Sequence, residues 1–372
     1  MRSYLLLIGI AFMTSYLLTP VMRVVGSRLM PQQPVRARDF HKVPTPKLGG
    51  VAIVGGLYLG IGVASQIPFF HGIFKSAEPI RGVLIGLGII LVMGILDDLI
   101  DLRWWIKLIG QIAVGLVIVQ HGILLKALPV GSLHIDSPVL QVVVTVLVIV
   151  GTMNAINFVD GLDGLAAGIS AIGAATFFVY SYLLATRVSD EDYSNFSALM
   201  CAVLLGATLG FLPHNFQPAS IFMGETGVLA IGLLFAVSTL AVTGDVLGED
   251  AFRFRNVPAF MPVILPVAVI VLPYLDLLLS IIRRSAKRKS PFSADRGHIH
   301  HRLVDLGHSP RAVVLILYMW AALVASGVVV ISLADRRIAI PLYIAAFILV
   351  TLITWMPMLE RARARARRKA AR

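Results

Sequence analysis

Residues 154–168 read Asn154-Ala-Ile-Asn157-Phe-Val-Asp160-Gly161-Leu-Asp163-Gly164-Leu-Ala-Ala-Gly168. Two amides and two carboxylates recur every third residue between two apolar runs, Val139 to Met153 and Leu165 to Leu184. An ionisable group at the centre of a bilayer costs about 2.5–3.5 kcal/mol, so such groups are rarely idle. On a helix, spacing by three sets the side chains along one slowly turning stripe. Gly161 and Gly164 either break that helix or let a ligand approach the backbone. The plainer alternative is a polar turn between two spans, but a turn requires no such spacing of amides and acids. A polar seam between long apolar runs therefore decides the fold class: an all-α polytopic membrane protein.

The rest of the chain agrees. Its 372 residues are 58% hydrophobic and only 14% charged. Apolar runs of about 17–25 residues have the length of a bilayer span. Candidate spans are 3–22, 49–66, 80–96, 104–121, 138–156, 164–186, 197–212, 226–243, 258–281, 311–333 and 337–357, eleven in all. The first has only Arg2 before it and no small-residue cleavage site, so it reads as an uncleaved anchor. The single cysteine, Cys201, lies inside an apolar run and reads as a small buried hydrophobe. The net charge of +12 raises nucleic acid as a partner, but the charges fall in loops and in the C-terminal tail, where topology explains them. No nucleic-acid partner is expected.

With the N-terminus outside and the C-terminus inside, 23 of the 32 Lys and Arg residues fall on the cytoplasmic side. Positive charge gathers on the inner side of membrane proteins, so this bias favours that orientation. The same orientation puts every polar motif on the cytoplasmic face.

Besides the seam at 154–163, those motifs are five. His41-Lys-Val-Pro44-Thr-Pro46-Lys47-Leu-Gly49-Gly50 stiffens the entry to the second span, for a rigid site or simply for helix entry. Asp97, Asp98 and Asp101 cluster at the end of the third span, and clustered carboxylates repel unless a cation or proton sits between them. Lys107 follows, either to bind a phosphate or to neutralise those acids. Asn215 precedes Gln217-Pro-Ala-Ser-Ile-Phe-Met-Gly224-Glu225-Thr-Gly227, an acid between glycines at the mouth of a span. Finally, Arg296-Gly-His298-Ile-His300-His301-Arg302 suits a diphosphate-like anion, or alternatively a transition metal. The spacing is wrong for a helical His-x-x-x-His pair, which favours the anion. Carboxylate and amide oxygens are hard ligands that suit Mg²⁺ better than zinc. Acids for Mg²⁺ and bases for phosphates, at a membrane surface, imply phosphoryl transfer between a cytosolic and a lipid substrate. A transporter would instead gather its polar groups near the bilayer midplane, in paired broken helices.

Asp97-Asp98, Asn154 to Gly164, Asn215 with Pro218 to Glu225, and His298-Ile-His300-His301-Arg302 together resemble the polyprenyl-phosphate N-acetylhexosamine-1-phosphate transferases. The histidine motif resembles the WecA-type branch, which uses UDP-GlcNAc. The resemblance implies ten or eleven helices, a homodimer, and a bacterial inner (plasma) membrane location with the active site facing the cytoplasm. It implies a transferase domain over residues 1–358 and a basic tail over 359–372. The implied reaction takes UDP-GlcNAc and polyprenyl phosphate to polyprenyl-diphosphate-GlcNAc and UMP. Alternatives are another UDP-N-acetylhexosamine, including UDP-MurNAc-pentapeptide, or a non-catalytic scaffold or transporter. By resemblance, Asn157 and Glu225 bind Mg²⁺, for which Mn²⁺ substitutes. Asp97 takes a residual proton or orients the lipid phosphate, with Asp98 beside it. Asp160, Asp163 and Asn215 line the nucleotide pocket, and Lys107, His298, His300, His301 and Arg302 hold phosphates and sugar. One departure stands out: the family usually carries Asp where this chain has Glu225, and a small hydroxyl residue where it has Val228. The longer Glu225 side chain is expected to shift the metal or to interpose a water.

Overall fold

The computed structural model describes residues 1–29, 45–125, 135–188, 195–246, 303–304, 306–333 and 335–370. The expected span 258–281 and the motif His298, His300, His301 and Arg302 lie outside these residues. The described chain forms α1 (Arg2–Leu29), α2 (Gly49–Ala64), a 3-10 turn (Pro68–Phe70), α3 (His71–Lys75), α4 (Glu78–Ile100) and α5 (Trp104–Gln120). It continues as α6 (Pro138–Val159), α7 (Leu165–Val188), α8 (Phe196–Asn215), α9 (Gly224–Val246), α10 (Pro310–Leu333) and α11 (Arg336–Ala370). Among the described residues there is no strand. Among the described residues, eight helices are long and apolar enough to cross a membrane, or nine if α2 and the segment bent 92° from it form one span. With 17 residues, α5 is a shorter apolar helix. The protein is an all-helical, polytopic membrane protein.

The sequence-based spans stop short at the ends that matter. The third was expected to end at 96, but α4 runs to Ile100 and takes Asp97 and Asp98 into the helix. The fifth was expected to end at 156, but α6 runs to Val159 and carries Asn157. The seventh ends at Asn215, three residues beyond the apolar run. Asp97, Asn157 and Asn215 each find hydrogen-bond or ionic partners at these ends, so the helices outlast the hydropathy that announces them. The last helix, α11, passes through position 358 without a break and reaches Ala370.

The centre of the bundle is α9, which packs against α2, α4, α6 and α8. Its residues Val228 to Val237 are almost all buried. Around it, α1 packs on α2 and α8, α5 on α4 and α6, and α7 on α8 and α10, with α11 outermost against α10. Small residues allow these approaches. A Cβ at Gly206 or Gly210 of α8 would strike the backbone carbonyls of Ile8 and Phe12 in α1. Between membrane helices such packing replaces the hydrophobic drive that lipid removes. Exposed apolar side chains line α1, α5 and α11, among them Leu17, Ile109 and Leu342, as a lipid-facing surface requires.

Several helix starts are capped by the side chain that precedes them. Ser137 accepts the N–H of Leu140 ahead of α6, Asn195 that of Ala198 ahead of α8, Ser309 that of Ala312 ahead of α10, and Asp335 that of Arg337 ahead of α11. The start of α2 is satisfied differently: Gly49 and Gly50 donate to the carbonyls of Phe222 (3.0 Å) and Met223 (2.7 Å), while Phe222 donates to the Pro46 carbonyl at 2.8 Å. Residues 46–50 are thus stitched to the segment that leads into α9. The unpaired N–H groups of a helix start gain partners this way.

Candidate active site where α4, α5, α6 and α9 meet

The site begins with the end of α4. There Asp101 adopts left-handed backbone (φ 53°), and its N–H returns to the Asp97 carbonyl. Asp97 is buried, and its Oδ1 accepts the N–H of Leu102 at 2.8 Å. The carboxylate therefore shapes the turn into α5. Its Oδ2 lies 3.4 Å from Lys107 Nζ, on the first turn of α5. Lys107 also stands 3.7 Å from Glu225 Oε1. One ammonium thus serves two carboxylates from different helices.

Glu225 opens α9 and is half-buried. Its Oε2 accepts from Asn157 Nδ2 of α6 at 2.9 Å, and its N–H donates to Asp98 Oδ1 at 3.2 Å. Asp98 thereby caps the start of α9, where the helix dipole favours an anion. Asp98 Oδ2 is buried and has no hydrogen-bond partner. Gly224 permits the approach: its φ is +69°, and a Cβ there would strike the Lys47 carbonyl and the Asp98 carboxylate.

The amide–acid stripe expected across 154–163 does not form on one helix. Asn154 and Asn157 lie on α6, but the helix ends at Val159, Asp160 occupies its C-cap, and Asp163 falls in the following turn. Gly161 and Gly164 supply the break, Gly164 with φ +77°. Asn154 turns to Gln111 of α5, donating to its Oε1 at 2.6 Å. Asp160 is exposed as a residue, while protein crowds its carboxyl. Burial, then the nearby charges of Glu225 and Asp163, push its carboxyl up to about 7.

A second cluster fixes the turn after α6. Asn215 is buried, accepts the Gly164 N–H at 3.1 Å and donates to the Ile221 carbonyl at 3.0 Å. Asp163 Oδ2 accepts the N–H of Ala219 at 2.9 Å. The two residues join the 160–164 turn to the 216–223 segment, and both use backbone partners to do so.

The structure therefore brings Asp97, Asp98, Lys107, Asn157 and Glu225 into one bonded network, with Asp160 electrostatically coupled to it. Asp163 and Asn215 sit beside this network as clamps on its backbone. The reading from sequence missed Gln111, an amide inside an apolar run one turn beyond Lys107. Its signal was the usual one, a polar side chain placed where only apolar ones are needed. Among the described residues no group of three His, Cys, Asp or Glu side chains could hold a metal. The oxygens of Asn157 and Glu225 are nonetheless hard donors. A hard cation that keeps waters and substrate phosphates as its remaining ligands needs only one or two such protein groups.

Comparison with known proteins supplies the family. Residues 80–243, which carry α4 to most of α9, match the model of glycosyl transferase family 4. The chain is 38% identical over 365 residues to the decaprenyl-phosphate N-acetylglucosaminephosphotransferase of Mycobacterium tuberculosis, covering 96% of this chain and 90% of that protein. It is 31% identical to the probable undecaprenyl-phosphate N-acetylglucosaminyl 1-phosphate transferase of Bacillus subtilis, over 94% of this chain and 89% of that one. A phospho-N-acetylmuramoyl-pentapeptide-transferase of a Mycobacterium species is 32% identical, over only 66% of this chain and 78% of the other. By similarity to these relatives along nearly its whole length, and by the family model matched over residues 80–243, the chain belongs to glycosyl transferase family 4.

Proposed function

We propose that the protein transfers GlcNAc-1-phosphate from UDP-GlcNAc to a membrane polyprenyl phosphate, giving polyprenyl-diphosphate-GlcNAc and UMP. The observation that carries this reading is the convergence of Asp97, Asp98, Lys107, Asn157 and Glu225 from four helices. Similarity to N-acetylglucosaminephosphotransferases over 96% of the chain supports the sugar, against 66% for the N-acetylmuramoyl-pentapeptide relative.

An oxygen of the lipid phosphate attacks the β-phosphorus of UDP-GlcNAc, the bond from that phosphorus to the bridging oxygen breaks, and UMP leaves. A phosphate monoester has its second pKa near 6, so the nucleophile is largely dianionic at neutral pH and needs no strong base. Asp97 accepts the residual proton or orients the lipid phosphate, and Asp98 fixes the start of α9. Lys107 draws phosphate charge towards the carboxylates. Asn157 and Glu225 would hold Mg²⁺, or Mn²⁺ in its place, and a bound ion would supply the positive charge that lets two anions meet. Asp160, Asp163 and Asn215 border the nucleotide, and His298, His300, His301 and Arg302 complete the phosphate and sugar contacts. The N-terminus lies outside, and the C-terminus and the site face the cytoplasm of a bacterial inner membrane, as the Lys and Arg distribution supports. Two copies form a homodimer.

Purified protein incubated with UDP-GlcNAc, polyprenyl phosphate and Mg²⁺ is expected to release UMP and to make a GlcNAc-diphosphate lipid, identified by mass spectrometry. EDTA is expected to stop it. A UDP-MurNAc-pentapeptide donor that competes and is itself transferred faster would transfer the assignment to the other sugar. No lipid product from any UDP-sugar would overturn the enzyme reading in favour of a scaffold.

A further inference from the structure

The turn at 160–164 is held from a third direction, by a helix that lies beyond the matched family region. Tyr318, on α10, donates its hydroxyl to the Gly164 carbonyl in a short hydrogen bond. Its ring packs against the first turn of α7, where a Cβ at Gly168 would collide with it. Arg311 lies two turns earlier on α10, and its Nε donates to the Gln217 carbonyl at 2.9 Å. Residues seven apart fall on one face of a helix. One face of α10 therefore grips both segments that the Asp163 and Asn215 clamps tie together. Gly164 is engaged at its N–H by Asn215 and at its carbonyl by Tyr318. Without a Cβ, Gly164 takes positive and negative φ about equally readily, so its partners select the left-handed conformation seen here.

We infer that Tyr318 is a positioning residue for the nucleotide-sugar site: it fixes the carbonyl of Gly164, and with it the turn that presents Asp160. The inference rests on the reading of the 160–164 turn as a border of the nucleotide. Tyr318 touches no reacting atom and acts through the turn. The hydroxyl itself lies with Cζ against Gly168 and bonds the Gly164 carbonyl, so it adds to the packing of the ring a polar contact with the turn.

The test is Tyr318→Phe, which keeps the ring and removes one hydrogen bond. Tyr343→Phe is its control. Tyr343 also donates to a backbone carbonyl, that of Leu323, at 2.9 Å between α10 and α11, away from the turn. Tyr318→Phe is expected to raise the KM for UDP-GlcNAc about three- to tenfold, the span of one hydrogen bond, with kcat within about twofold. It should also speed amide exchange in peptides covering 160–168 by about the same factor. The KM for polyprenyl phosphate should not move. Tyr343→Phe should change none of these. An unchanged KM in Tyr318→Phe, faster exchange without a KM change, or equal effects from both variants would each overturn the inference while leaving the proposed reaction standing. If the unmodified protein transfers nothing from UDP-GlcNAc, the proposed reaction fails instead, and exchange at 160–168 still decides whether the hydroxyl holds the turn.

Discussion

Glu225 of α9 joins three other helices at the site, α4, α5 and α6. It meets Asn157 and Lys107 through its side chain and Asp98 through its backbone. Glu225→Gln keeps the length and a hydrogen bond to Asn157 but loses the charge. Activity should fall by about 100-fold or more, the usual scale for removing one electrostatic contact to the reacting centre. The Tm should change little, and thermal unfolding in detergent beside the UMP-release assay checks both. Asp160 yields a prediction in pH. Its carboxyl titrates near 7 in the fold but near the ordinary carboxylate value when unfolded. The unfolded state therefore loses its proton first, and the fold carries a growing penalty as pH rises from about 4 to 7. Asp160→Asn removes that penalty. Its Tm should match the parent near pH 4, exceed it increasingly up to about pH 7 and level off above; a difference that shrinks with rising pH would contradict the assignment. Much of this was legible beforehand. Asp97, Asp98, Asn157 and Glu225 announce themselves as polar groups at the ends of apolar runs. What each does was less legible. Asp98 spends one oxygen on a helix start 127 positions away, and Asn215 spends its whole amide on backbone, neither of which spacing can reveal.

At the scale of helices, hydropathy locates most of the spans and misplaces their ends. Apolar length is a local property, whereas α4, α6 and α8 end where distant partners stop satisfying them. Helix contacts depend on glycines whose role is invisible in composition. Gly206 and Gly210 lie against the α1 backbone, while Gly9 has open space around its Cβ position. Gly210→Val should therefore force α1 and α8 apart and destabilise by about 1–3 kcal/mol, the cost of overpacking a filled interface. Gly9→Ala should be neutral or stabilising by up to about 1 kcal/mol, because a helical glycine gains from a methyl that meets nothing. Unfolding of the two variants in the same detergent separates these outcomes. The role of α10 was not legible either. Tyr318 sits in an apolar run, where a tyrosine reads as ordinary packing, and its partner is a carbonyl 154 positions earlier.

At the scale of the whole molecule, the orientation can be checked with the protein's own silent background. Cys201 is buried, so it should not react with a membrane-impermeant maleimide. Asp136 and Ser27 are exposed, at the start of α6 and near the end of α1. If the N-terminus lies outside, Asp136→Cys should label in intact cells and Ser27→Cys only after permeabilisation. The reverse pattern would place the proposed site on the wrong side for a cytosolic nucleotide sugar. The stitch between residues 46–50 and 222–223 bears on how such a molecule can diverge. An insertion between Pro46 and Gly50 would slip the register of three backbone bonds at once and drag the Glu225 segment with it. Added residues ahead of Thr45 would spare that register. Length variation among descendants of this chain should therefore accumulate upstream of Thr45 and stop abruptly there.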